Sequence, residues 1–240
     1  MLGPWPDLLG TRVEVETLAG IADRLPGGSS ALVLTGARAT EERVVAELPR
    51  FGTVHLATHG FFEPEELPSM AAALDEERSA GGAGAFEPEP RPRRLQGLPP
   101  RLLSGLVLAG ADAPPEEGRD DGLLTAEELS WLDLSRVRLF VLSACETGLG
   151  NPRGAEGMLG LRRTLHLAGV DTVVSSLWQV PDEPTARLME RFYRNLWEEG
   201  LGALAALRAA QLEALEQNRR LHGDARPGEW GAFAVSGDWR

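Results

Sequence analysis

Apolar residues recur along the chain with two different periods. Between Arg12 and Leu25 they fall at Val13, Val15, Leu18, Ile21 and Ala22, roughly one face of a helix, and Pro26-Gly27-Gly28 ends it. Ala31-Leu32-Val33-Leu34 is a short apolar run between turn residues and predicts a buried strand. Thr40-Glu41-Glu42-Arg43 has the composition of a capped helix start, with Val44, Val45 and Leu48 supplying the apolar face. Thr53 to Thr58 predicts the next strand. Strand, helix, strand in that order predicts parallel pairing through a right-handed crossover.

The pattern breaks from 63 to 100. Glu63-Pro64-Glu65-Glu66, Ala80-Gly81-Gly82-Ala83-Gly84 and Glu87-Pro88-Glu89-Pro90-Arg91-Pro92 are in turn acidic, glycine-rich and proline-rich. Such a stretch buries too little apolar surface to offset the entropy of ordering it, so a mobile surface insertion is expected, with a short helix around Ser69 to Leu74. Order returns with a strand over Gly105 to Ala109, a polar loop from Asp112 to Asp121, and the capping box Thr125-Ala126-Glu127-Glu128 opening a short helix. Val137 to Leu142 is an apolar strand, Met158 to Leu167 a helix ending at Gly169, and Thr172 to Trp178 a strand buried on both faces. Pro184 to Trp197 and Ala203 to Leu221 predict amphipathic helices, and Ala232 to Val235 a last strand. No internal repeat is evident. The alternation predicts an α/β sandwich with a mainly parallel sheet.

Composition narrows the chemistry. All 24 basic residues are arginine, which removes lysine-dependent Walker loops, Schiff bases and Ser-Lys dyads. The same bias, with Ile21 the one isoleucine, fits GC-rich codons and predicts a bacterial source. A net charge of -12 leaves no broad basic footprint, so neither nucleic acid nor an anionic membrane is an expected partner. No run of about 18 apolar residues is present, and Met1-Leu2-Gly3-Pro4-Trp5-Pro6 lacks the regions of a signal peptide, so a cytoplasmic location is expected. No cofactor or metal is expected. His55 and His59 have the spacing of a zinc pair on a helix, but on a strand they stand about 13 Å apart, and His55 is read as structural.

One cysteine, Cys145, stands where the strand ending at Leu142 runs into the loop Glu146-Thr147-Gly148-Leu149-Gly150-Asn151-Pro152-Arg153-Gly154. His59, followed by Gly60, closes the strand that begins at Thr53. In an open parallel sheet, ligands collect at the carboxyl ends of the strands. An imidazole beside a thiol there favours the thiolate and can later protonate a leaving amine. Gly60, without a side chain, lets its amide approach a substrate carbonyl, and the amide of Cys145 is a second oxyanion donor. Taken alone, a buried cysteine at a strand end reads as a small apolar core residue, and the lone histidine as a structural one.

The segments His59-Gly60 and Ser143-Ala144-Cys145-Glu146-Thr147-Gly148 resemble the CHAT domain, the bacterial-type branch of the caspase and separase peptidases. Gly122 to Glu128, Ser175-Ser176-Leu177-Trp178-Gln179-Val180-Pro181-Asp182, Phe192-Tyr193 and Trp230-Gly231-Ala232-Phe233 resemble it too. The resemblance implies a caspase-like three-layer α/β/α sandwich over 11–240, with 1–10 an N-terminal extension. It also implies a cysteine endopeptidase with His59 and Cys145 as the catalytic dyad, and a helical-repeat regulatory partner ahead of it. By likeness the specificity pocket lies beside the Cys145 loop and Trp178, where Glu146 and Asp182 are the nearby acids and select a basic residue at the cleavage point. The bland reading of Asp182 is a helix N-cap. A catalytically silent interaction module of the same fold is the alternative.

Overall fold

A computed structural model describes residues 5–6, 8–26, 31–62, 104–113, 120–146, 154–178, 180–223 and 226–239. The expected insertion at 63–100, its short helix and residues 147–153 of the glycine-rich loop lie outside the described residues, as do the side chains of Cys145, Glu146 and His222.

Helix α1 (Leu9–Ala22) opens the described chain and is followed by α2 (Glu41–Glu47), whose start is capped by the Thr40 side chain accepting from Arg43 N–H. Strands β1 (Thr53–Leu56), β2 (His59–Phe62), β3 (Ser104–Val107) and β4 (Leu123–Thr125) come next. The predicted capping box forms at α3 (Ala126–Ser130), where Thr125 and Glu128 satisfy each other's backbone N–H groups. Then follow β5 (Leu139–Leu142), β6 (Cys145–Glu146), α4 (Gly154–Leu167), β7 (Thr172–Ser176), α5 (Asp182–Trp197), α6 (Ala203–His222) and β8 (Phe233–Gly237).

The main sheet has the order β1-β5-β7-β8, with the first three strands parallel and β8 antiparallel. Its two inner strands, β5 and β7, are buried on both faces, and the side chains along the sheet alternate between two cores. Phe140, Leu142 and Val173 face α2, α3, α4 and the smaller sheet, joined there by Leu161 and Leu165. Leu139, Val141 and Val174 face α1, α5 and α6, where Ile21, Leu188, Phe192 and Tyr193 fill the space. Helices on both faces of a mainly parallel sheet make the α/β/α sandwich that the alternation predicts. A second sheet, β4-β3-β2-β6, caps one end.

Two expectations are corrected. Ala31 to Leu34 is not a strand: the segment has no ladder, Leu32 is exposed, and Leu34 only leans on the first core. A short apolar run needs a neighbouring strand to satisfy its backbone, and among the described residues β1 instead forms the edge of the main sheet. The crossover expected between that run and β1 is therefore absent from the described residues. The strand predicted to end with His59 and Gly60 stops at Leu56, and these two residues begin β2.

Candidate active site

β1 and β5 run side by side through the main sheet, and at their carboxyl ends the two chains turn together. The pairing Leu56↔Leu142 closes their ladder, and His59↔Cys145 and Gly60↔Glu146 form the next one between β2 and β6. The register is the same on both sides of the corner, so neither chain gains a residue in turning. Neighbouring strands lie about 4.8 Å apart. His59 and Cys145 are thus paired positions on adjacent parallel strands, at the carboxyl edge of the sheet where loops converge on a ligand.

Three hydrogen bonds hold the corner. Ser143 N–H donates to the Leu56 carbonyl at 2.9 Å, which carries the parallel ladder one step past β5. The hydroxyl of Thr58, next to His59, donates to the Val107 carbonyl in β3. The hydroxyl of Ser176, at the end of β7, donates to the Ala144 carbonyl at 2.7 Å, next to Cys145. The residue before each candidate, Thr58 before His59 and Ala144 before Cys145, is therefore tied to a separate strand.

His59 is buried, and its Nε2 lies 2.7 Å from the carbonyl oxygen of Pro6. A carbonyl can only accept, so Nε2 carries the proton and, in the neutral ring, Nδ1 holds the lone pair. The indole of Trp5 covers the imidazole at a centroid distance of 5.5 Å and a tilt of 38°. The backbone N–H of Trp5 donates to Asp112 Oδ1 at 3.1 Å, which ties this segment to the loop after β3.

The CHAT domain family model matches residues 2–238. The chain belongs to the CHAT domain family. That family lies within the caspase-like peptidase superfamily, and the sandwich described above accords with it. Among curated proteins, the mouse "Tetratricopeptide repeat protein 28" is 31% identical over 205 residues, covering 85% of this chain. The human protein of the same name is 30% identical over 204 residues, again 85% of this chain. The chain spans only 8% of the length of these relatives. Both are mammalian, so they lend nothing to the bacterial origin expected from composition.

Gly60 sits in β2 between β3 and β6. A methyl group there would meet the Gly105 carbonyl oxygen at 3.8 Å and the Ala144 side chain at 3.9 Å, ordinary contact distances. Gly105 differs: its methyl would strike the Leu124 carbonyl and the Phe61 ring, each at 2.6 Å. Packing alone demands glycine at 105 and not at 60.

Of the residues expected to line a specificity pocket, Glu146 follows Cys145 in β6. Trp178 is 42% exposed and donates its indole N–H to the Gly228 carbonyl at 3.1 Å. Asp182 is the first residue of α5, with Pro181 as the N-cap, so it does not cap that helix as the sequence suggests. Its carboxylate instead accepts from Gly10 N–H at the start of α1, at 3.2 Å, and its Cβ lies 2.3 Å from where a Gly10 methyl would stand. His55 is structural, as its strand position predicts: its ring bridges Glu14 Oε1, 2.9 Å from Nε2, and Tyr193 Oη, 3.2 Å from Nδ1.

Pro6, Trp5 and Thr58 carry no local signal that marks them as neighbours of His59. Ser176 does carry one, since a hydroxyl at the end of a strand buried on both faces needs a partner.

Proposed function

We propose that this CHAT domain is a cysteine endopeptidase in which Cys145 is the nucleophile and His59 moves the protons. The observation that supports this most is the pairing of His59 with Cys145 at the corner of two parallel strands, with the ring's Nε2–H committed to Pro6. That commitment leaves Nδ1 as the nitrogen free to take the thiol proton. The thiolate attacks the scissile carbonyl carbon, the carbon–nitrogen bond breaks, and the imidazolium delivers its proton to the leaving amine. Water then attacks the thioester, gives a proton to His59, and releases the acid and the thiol. The amides of Gly60 and Cys145 are the proposed donors to the oxyanion.

The preferred residue at the cleavage point is basic. Glu146 beside Cys145 in sequence, the exposed acid Asp182 near Trp178, and the chain's net charge of -12 support this preference. Activity is proposed to answer to a helical-repeat partner, on the strength of relatives whose name carries tetratricopeptide repeats and of whose length the match covers only 8%.

A peptide library incubated with the chain, with Cys145→Ala and His59→Ala as controls, tests the reading. Turnover that both substitutions abolish is expected. The pH profile of iodoacetamide alkylation adds an independent check, since the chain has one cysteine. A thiol paired with an imidazole is alkylated well below its ordinary pKa of about 8.5. No turnover with helical-repeat segments of the relatives supplied, together with an ordinary alkylation profile, overturns the peptidase reading in favour of a silent interaction module.

A further inference from the structure

We infer that Ser176 is a positioning residue for Cys145, an inference that rests on the peptidase reading. The β5–β7 ladder ends at Leu142↔Ser175, so the backbone of β7 offers Ala144 no ladder partner. The side chain of Ser176 takes over that role, with its hydroxyl donating to the Ala144 carbonyl at 2.7 Å. Both ends of the bond are shielded from water, since Ser176 is 3% and Ala144 0% exposed. Ser176 is itself fixed by pairing with Phe233 of β8, so the hydroxyl hangs on a strand that is bonded on its far side.

The consequence for Cys145 follows from the planarity of the peptide unit. In a trans peptide the carbonyl of one residue and the N–H of the next point in opposite directions across one rigid plane. Holding the Ala144 carbonyl therefore sets the direction of the Cys145 N–H, the proposed oxyanion donor, and restrains the backbone from which the nucleophile projects. Preorganised donors contribute most when they do not have to reorient during the reaction. The adjacent Ser175 is equally buried, yet among the described residues its hydroxyl has no partner. Of the two serines in the motif, only Ser176 holds the peptide of the nucleophile.

The test uses the single cysteine as a reporter: labelling with 15N-cysteine gives one backbone amide resonance, that of Cys145. In Ser176→Ala this resonance is expected to move and its hydrogen exchange to speed at least about tenfold, while Ser176→Thr restores both. In peptide turnover, Ser176→Ala is expected to lower kcat about 10- to 100-fold with KM within about twofold, and Ser176→Thr to recover most of the rate. Should the alanine variant not fold, the comparison of Ser176→Thr with Ser176→Val, which differ only in hydroxyl against methyl, gives the same readings. An unchanged amide resonance and exchange rate in the variant without the hydroxyl overturns the positioning role, whatever turnover does. A wild-type chain that cleaves no peptide, but whose Cys145 amide moves on loss of the hydroxyl, overturns the peptidase reading and leaves the hold of Ser176 on Cys145 standing.

Discussion

His59 Nε2 lies 2.7 Å from the carbonyl oxygen of Pro6, 53 residues earlier in the chain. This bond decides which ring nitrogen is protonated, and the Trp5 indole packs against the imidazole beside it. A chain that begins at Leu8 still contains all of α1 but lacks the acceptor. Its neutral His59 is expected to divide between the two tautomers, which 15N-histidine spectra distinguish, and kcat is expected to fall at least about tenfold. A spectrum that keeps a single Nε2–H tautomer in the shortened chain sinks this assignment of the proton.

The two glycines of the small sheet separate packing from chemistry. Gly60→Ala places its methyl at ordinary contact distances, so the urea midpoint is expected to shift by no more than about 1 kcal/mol in stability. If Gly60 is the oxyanion donor we propose, the methyl stands in the path of the substrate carbonyl, and kcat is expected to drop about 10²- to 10³-fold. Gly105→Ala is expected to do the reverse, costing about 1–3 kcal/mol by overpacking against Leu124 and Phe61. Equal losses of stability in the two variants would remove Gly60 from the list of functional positions.

The sheet that carries the site was legible in the sequence for a simple reason. β5 and β7 are buried on both faces: β5 is a continuous apolar run, Leu139 to Leu142, that ends sharply at Ser143, and β7 carries the β-branched Thr172, Val173 and Val174. Thr125 and Glu128 likewise make a local motif whose bonds are three residues apart. The corner was not legible. Whether β1 ends at Leu56 or runs on to His59 depends on Thr58 reaching Val107 and Ser143 reaching Leu56, bonds that span long stretches of chain. Ala31 to Leu34 misleads for the same reason, since its apolar pattern is that of a strand but no strand among the described residues pairs with it. The proposed dyad could be named from residue types and motif, whereas Pro6, bonded to His59, stands 53 residues before it and Ser176, bonded to Ala144, stands 32 residues after it.

Glu14, His55 and Tyr193 form a buried chain of hydrogen bonds joining α1, β1 and α5. Burial first, and the charge of Glu14 second, push the Tyr193 hydroxyl well above its ordinary pKa, so it stays protonated and donates to His55 Nδ1. The imidazole N–H at Nε2 then donates to Glu14. Tyr193→Phe keeps the ring packing on Phe192 and Trp197 but leaves His55 Nδ1 without its donor. A loss of about 1–3 kcal/mol by urea unfolding is expected, with kcat within about twofold of wild type. A large fall in kcat with unchanged stability would instead place this chain of bonds in the reaction.

Glu41 gives the fold a dependence on pH that is separate from the proposed dyad. It is buried at the start of α2, where its Oε2 accepts from Gly122 N–H at 3.1 Å. Its pKa is raised from 4.5 to about 7, first by burial and then by the charges of Glu128, Asp120 and Asp121, against the lowering effect of the Gly122 hydrogen bond. Because the folded chain holds this proton more tightly than the unfolded one, the stability it contributes is fully present below pH 4.5 and is lost as the pH rises through about 7. Glu41→Gln keeps an oxygen for Gly122 and removes the ionisation. The variant is therefore expected to match wild type near pH 4, to melt at a higher temperature at pH 8, and to lose the slope between them. Parallel melting curves for the two chains across that interval would show that the carboxylate ionises without cost and that the cluster around it is open to water.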